Sequence, residues 1–123
     1  MVARYVALHR AGDLARRAEA ALARLKDCDL CPQQCGVDRL SGAPGQVATG
    51  AVCRTGRLAR VASVGPAFAE ERMFTGEAGS GDIVFSWCNL RCAYCANWES
   101  SMEGAGEDMD AGALAEAMLA DHG

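Results

Sequence analysis

Seven cysteines among 123 residues constrain this chain more than any other feature of its sequence. They form an upstream group (Cys28, Cys31, Cys35 and Cys53) and a second group (Cys88, Cys92 and Cys95). An odd number of thiols does not pair completely in disulfides, and the N-terminus lacks the uninterrupted apolar stretch of a secretory signal. We therefore expect a reduced, cytoplasmic chain whose cysteines bind metal.

Length and charge narrow the class of protein further. The chain is long enough for one modest core, but short of the roughly 250 residues of a complete (β/α) barrel. It contains no apolar run of the roughly 18 residues that a membrane-spanning helix needs. Residues 1–63 carry a net charge of +5 and residues 64–123 carry −9. Aromatic residues are not interleaved with the basic ones, so we expect a solvated helix face and no nucleic-acid or membrane partner.

Two segments have helical periodicity. From Asp13 onward, apolar residues recur every three or four positions as far as Leu25, which predicts an amphipathic helix of about four turns with Asp13 as its N-cap. A second helix is predicted after Asp110, again with the aspartate as N-cap. Between them, residues 28–56 show no periodicity, and a segment of that length needs an organiser such as a metal.

Two short strands are predicted in the second half. Residues 57–64 form the first, which Gly65 and Pro66 are expected to end. The β-branched and aromatic residues 83–85 form the second, which we expect to be buried and to lead directly into the second cysteine group. The predicted organisation is a helix and cysteine-rich segment over residues 1–56, followed by strand, cysteine loop and helix over residues 57–123.

The upstream group has metal-ligand spacing. Cys28, Cys31 and Cys35 form C-x-x-C-x-x-x-C, and Pro32 and Gly36 favour a tight turn that brings sulfurs to one side. Four thiolates satisfy zinc and an iron–sulfur cluster equally well, so the metal stays open. Free buried cysteines or a redox pair are the alternatives, although a thioredoxin-like pair is expected to follow a strand and this one follows a helix.

The second group, CNLRCAYC, places three cysteines on one short loop. Three thiolates can each bind one iron of a 4Fe–4S cube, which leaves the fourth iron without a protein ligand and open to a small molecule. This spacing, the preceding strand and Tyr94 just before Cys95 resemble radical S-adenosylmethionine enzymes.

The resemblance extends beyond this motif. YVALHRAGDLARR (residues 5–17), CDLCPQQCGVDRL (28–40) and TGEAGSGDIVFSWCNLRCAYCANWE (75–99) are similar to the N-terminal portion of one branch, the proteins like pyruvate formate-lyase activating enzyme. The resemblance implies an α/β fold: the N-terminal part of a partial (β/α) barrel, preceded by a helix and a cysteine-rich metal-binding segment. On the same basis the chain is expected to be incomplete, because the family's glycine-rich S-adenosylmethionine motif would follow residue 123.

The resemblance also implies the chemistry. Cys88, Cys92 and Cys95 would hold a 4Fe–4S cluster, S-adenosylmethionine would chelate its open iron, and Tyr94 would lie against the adenine, unless its ring simply packs under the loop. An electron from a reductant such as flavodoxin or ferredoxin then yields methionine and a 5′-deoxyadenosyl radical. The similarity to this branch also implies a protein as substrate, as for an enzyme that activates a glycyl-radical protein. The upstream cysteines match by position and imply a second metal.

Two positions depart from the family pattern. Trp87 stands where the family usually has glycine, and a bulky residue there is expected either to crowd the cluster or to force the loop to adjust. Cys53 lies further from Cys35 than the family's fourth upstream cysteine, and Val47 stands near the usual place. A different class of function is therefore kept as the alternative: a non-catalytic iron–sulfur or zinc-binding module.

Overall fold

The computed structural model describes residues 3–77 and 79–121, which form helices and a small three-stranded antiparallel sheet. Its helices are α1 (Arg4–Arg10), α2 (Asp13–Ala23), α3 (Arg72–Thr75) and α4 (Ala111–Asp121). Its strands are β1 (Ala59–Ala67), β2 (Ser80–Phe85) and β3 (Glu107–Met109). A 3₁₀ turn over Arg24–Asp27 continues α2, and a π-helical turn spans Glu99–Glu103. None of the described helices is long and apolar enough to cross a membrane.

α2 ends at Ala23 and the 3₁₀ turn carries the helical segment to Asp27, past the end of the apolar stripe at Leu25; its start also differs from the prediction. Gly12 is the N-cap of α2, with φ +76°, and makes no side-chain cap. Asp13 is the first helical residue and its carboxylate pairs with Arg16 at 2.5 Å, so the prediction of Asp13 as N-cap is wrong. The apolar stripe buries no residue of α2, and α1, which the periodicity did not predict, packs beside it.

The sheet has the order β2-β1-β3 and both pairs are antiparallel. β1 does not end at Gly65 and Pro66, as predicted; Pro66 pairs with Gly81 and the strand continues to Ala67. β3 pairs only with Ala59–Val61, so within the described residues the far half of β1 has a neighbour on one side alone. A proline, which has no N–H to donate, is tolerated at such an edge position.

β2 is not a buried strand, which corrects the second strand prediction. Ile83 and Val84 are partly buried and Phe85 is exposed, because β2 lies at the edge of the sheet. The best-buried apolar side chains of the described chain are Cys28 (1% exposed), Val61 (3%) and Ala51 (7%). Two of these three belong to the segment without regular structure and the third to β1, so that segment contributes to the buried interior.

The C-terminal helix follows the sequence pattern. α4 begins at Ala111, directly after Asp110, whose carboxylate accepts a hydrogen bond from the Ala113 N–H at 2.8 Å. This is the N-cap that the sequence predicted. α4 packs on β1 and β3, and β3 lies between the second cysteine loop and α4 along the chain.

Candidate functional site

The second cysteine loop is attached to the sheet at its first residues. The Ser86 N–H donates to the Arg60 carbonyl at 2.8 Å and so extends the pairing of β2 with β1. The next two N–H groups donate to carbonyls of the π-helical turn. Trp87 donates to the Ser100 carbonyl at 3.0 Å, and Cys88 donates to the Ser101 carbonyl at 3.1 Å. The first cysteine is therefore held by backbone bonds on both sides of the loop.

The remaining residues of the loop face outward. Cys92 is exposed, Cys95 is partly buried, and Tyr94 is 91% exposed, so its ring is not packed under the loop. The Cys88 sulfur accepts a contact from the Leu90 N–H at 3.4 Å, which turns it toward its own loop. The ring of Tyr94 is open to an incoming ligand.

Trp87 has a backbone conformation that glycine adopts more readily than other residues. Its φ is +65°, in the left-handed region, where a residue with a Cβ costs roughly 1–2 kcal/mol. The indole lies against Gly104, where any Cβ would collide with the ring, and the Arg54 guanidinium lies 5.3 Å from the ring centroid. These contacts offset the backbone strain, and so the loop adjusts to the tryptophan.

The upstream group forms a tight turn. The Cys28 N–H donates to the Val37 carbonyl at 3.1 Å, and the Gly36 N–H donates back to the Cys28 carbonyl at 3.0 Å. A further bond from the Gln34 N–H to the Cys31 carbonyl, at 3.0 Å, closes the turn between these cysteines. Gly36 has φ +61°, a conformation that glycine adopts without strain. Cys28 is buried, whereas Cys31, Cys35 and Cys53 are partly buried.

The two groups touch through Asn89, which lies between Cys88 and Cys92. The Gln33 side-chain amide donates to the Asn89 carbonyl at 3.0 Å. A hydrogen bond from the Asn89 side chain, assisted by the backbone N–H of Gln33, lowers the pKa of the Cys31 thiol, because both stabilise the thiolate. Cys53 and Cys88 line one narrow cavity together with Arg54 and Trp87. None of these contacts follows from cysteine spacing, since they join residues far apart in the chain.

A bound metal ion requires several ligating side chains close together, and the seven cysteines can be compared with that requirement. Within residues 3–77 and 79–121, no three Cys, His, Asp or Glu side chains are gathered as a metal ion would require. The donor chemistry of Cys88, Cys92 and Cys95 nevertheless fits a 4Fe–4S cluster, since all three are thiols on one eight-residue loop. To bind it, these side chains must turn toward one another around the anchored Cys88.

Arg39 is the residue that sequence reasoning missed. Its side chain is buried, and its Nη2 donates to the Cys53 sulfur at 3.1 Å. A buried arginine is stabilised by negative charge close to it, so its position beside cysteines is informative. The sequence alone does not show that Arg39 is buried.

Comparisons with protein-family models, with curated proteins and with solved structures found no match to this chain.

Proposed function

We propose that the chain is part of a radical S-adenosylmethionine protein whose cluster is held by Cys88, Cys92 and Cys95. The observation that carries this proposal is the C-x-x-x-C-x-x-C motif directly after β2, with Cys88 fixed to the sheet and the π-helical turn. The anchored first cysteine and the two following ones, on a loop free to turn, suit three-thiolate binding of a cube with one open iron.

Each residue of the loop has a role in this proposal. The bound cluster would supply the electron that cleaves S-adenosylmethionine to methionine and a 5′-deoxyadenosyl radical. Cys88 would fix the start of the loop, and the exposed position of Cys92 would leave the cluster accessible from solvent. The exposed ring of Tyr94 offers an aromatic face against which an adenine can stack.

The fold and partners follow the same proposal. β2, the cysteine loop and α4 would be the first strand, loop and helix of a partial (β/α) barrel, with β1 and β3 as added antiparallel strands. The reductant would be a flavodoxin or ferredoxin, and the substrate a protein, as for a glycyl-radical activase. The upstream cysteines would hold a second metal, zinc or iron–sulfur.

A second candidate is a non-catalytic metal-binding module. It is supported by the burial of Cys28 and by the backbone bonds that close the turn around it, because these are features of a structural metal site. The two candidates differ in one chemical property: only the first requires an open iron at the second cysteine group.

Electron paramagnetic resonance of the anaerobically reconstituted and reduced chain tests the proposal. We expect the 4Fe–4S signal to change on addition of S-adenosylmethionine, because the ligand binds the open iron. The variants Cys88→Ala, Cys92→Ala and Cys95→Ala should each lose this signal and its iron, since two thiolates do not hold the cube.

Cys35→Ala is the matched control, because it removes a cysteine outside the second loop and should keep the response to S-adenosylmethionine. An iron-loaded chain whose spectrum is unchanged by S-adenosylmethionine would favour the non-catalytic module. Retention of iron at wild-type stoichiometry in any of the three loop variants would contradict the ligand assignment.

A further inference from the structure

Arg39 carries a positive charge into the interior of the molecule. The residue is 9% exposed, and its Nε is buried without a hydrogen-bond partner. The side-chain contact that the structure gives it is the bond from Nη2 to the Cys53 sulfur. In the part of the chain that the structure describes, the ion pairs join other arginines to Asp or Glu and none includes Arg39.

Such a guanidinium needs negative charge beside it. Arginine does not lose its proton in proteins, so burial of Arg39 removes a permanent charge from water. A buried cation without an anion is strongly destabilising, and a neutral thiol is a weak acceptor that brings no charge. The Cys53 sulfur is the side-chain atom that the Arg39 guanidinium contacts.

The backbone places Arg39 beside the rest of the upstream group as well. The Arg39 N–H donates to the Leu25 carbonyl at 2.8 Å, and the next pair along the same two segments joins Cys28 to Val37. Arg39 therefore leaves the backbone close to the turn that holds Cys28, while its guanidinium reaches Cys53. Arg39 follows Cys35 closely in the sequence. Its contact with Cys53 therefore brings together two parts of the upstream group that 17 residues separate in the sequence.

We propose that Arg39 is the counter-charge of an anionic metal–thiolate centre formed by Cys28, Cys31, Cys35 and Cys53. Four thiolates around zinc or an iron–sulfur cluster leave a net negative charge, and each thiol that binds loses its proton to solvent. The bond from Arg39 makes Cys53 the fourth ligand in spite of its distance along the chain. This inference rests on the second metal of the proposed function and adds Arg39 to its site; it requires neither S-adenosylmethionine nor the second cysteine group.

A free anion is the competing partner for Arg39. The residue lines a cavity of about 300 Å³, together with Asp38. The Asp38 carboxylate lies on this wall and accepts bonds from the Leu40 and Ser41 N–H groups. A negative group on the wall disfavours a second anion there, and the buried Nε of Arg39 is not open to the cavity. The observations therefore favour the thiolates.

Cobalt(II) is a suitable probe, because cobalt–thiolate coordination has strong charge-transfer absorption. The full chain with Cys88, Cys92 and Cys95 all replaced by serine leaves the upstream group as its only cysteines. In this background we expect cobalt to bind with thiolate absorption. Arg39→Gln, which keeps hydrogen-bond donors without the charge, should weaken binding about tenfold or more, whereas Arg39→Lys should stay within about threefold.

Arg17→Gln is the control, since Arg17 is exposed on α2 and its loss should leave cobalt affinity unchanged. Equal affinity of Arg39→Gln and the parent would overturn the proposal, as would absence of thiolate absorption in the parent. Unchanged cobalt absorption in Cys53→Ser would remove Cys53 from the centre.

Two further readouts separate folding and anion binding from the proposed role. Circular dichroism follows the folding of each variant. If Arg39→Gln is unfolded without metal, the proposal requires cobalt to restore Arg39→Lys more readily than Arg39→Gln; equal restoration contradicts it. A phosphate-dependent rise in the melting temperature of the parent, absent in Arg39→Gln, would assign Arg39 to a free anion instead.

Discussion

Trp87 shows how a single side chain can compensate for an unfavourable backbone. The residue has a positive φ immediately before Cys88, and its ring is held between Gly104 and the Arg54 guanidinium. The sequence pointed to this position, because the resemblance led us to expect glycine where Trp87 stands. It did not show the compensation, since Gly104 and Arg54 are remote in sequence.

Gly104→Ala should destabilise the protein by about 3 kcal/mol. The new Cβ would collide with the Trp87 ring, and Gly104 has φ +70°, where alanine is strained. Urea denaturation followed by tryptophan fluorescence measures the free energy of unfolding. Gly65→Ala is the control, because no atom lies within 4 Å of its added Cβ and its φ is ordinary. Equal stability of the two variants would show that Trp87 does not pack on Gly104.

Asn89→Ala should raise the pKa of the Cys31 thiol. The Asn89 side chain is the largest cause of the lowered pKa, so its removal shifts the appearance of the thiolate to higher pH. The pH dependence of Cys31 alkylation in metal-free protein, followed by mass spectrometry, measures the change. Leu90→Ala, which alters an exposed side chain of the same loop, is the control. The same alkylation midpoint in Asn89→Ala and wild type would contradict the contact.

At the level of elements, local patterns predicted the helices better than the sheet. α4 and the extent of α2 follow from apolar periodicity and from Asp110, which are properties of neighbouring residues. β3 has no such pattern, because Glu107–Met109 pairs with β1 through a close approach of two distant segments. Gly106 permits that approach, since a Cβ there would collide with the Val61 carbonyl.

Asp110→Ala should lower stability by about 1 kcal/mol, because the Ala113 N–H loses its partner at the start of α4. Asp13→Ala should cost less, since Asp13 makes an exposed pair with Arg16 and no cap. Urea denaturation of both variants provides the comparison. A larger loss in Asp13→Ala would contradict the assignment of the two helix starts.

In the whole molecule, the cysteine-rich segment contributes more to the core than its composition indicates. The sequence predicted that residues 28–56 lack periodic structure, and no helix or strand forms between Asp27 and Ala59. It did not predict that Cys28 is the best-buried side chain, or that Gln33 and Asn89 join the two cysteine groups. These features depend on contacts across the fold, which spacing along the chain does not encode.

Zinc should raise the melting temperature of the chain, and a chelator should lower it. The metal proposed for the upstream group would bind the folded state in preference to the unfolded chain, so its binding should add to folding stability. At 100 times the dissociation constant, the gain is about 2.7 kcal/mol. Differential scanning calorimetry under reducing conditions measures it. Cys28→Ser should abolish the dependence on zinc, and an equal zinc effect in this variant would contradict binding at the upstream group.

The contacts of Asn89 have a consequence for how the two cysteine groups respond to ligands. Asn89 belongs to the second loop, yet its carbonyl and side chain bind Gln33 and Cys31 of the upstream turn. If both groups bind ligands as proposed, a ligand that reorients the second loop would alter these bonds and so change the affinity of the upstream thiols for metal. Thermodynamic linkage would make this effect reciprocal, so that loading of either group would change the affinity of the other by the same factor.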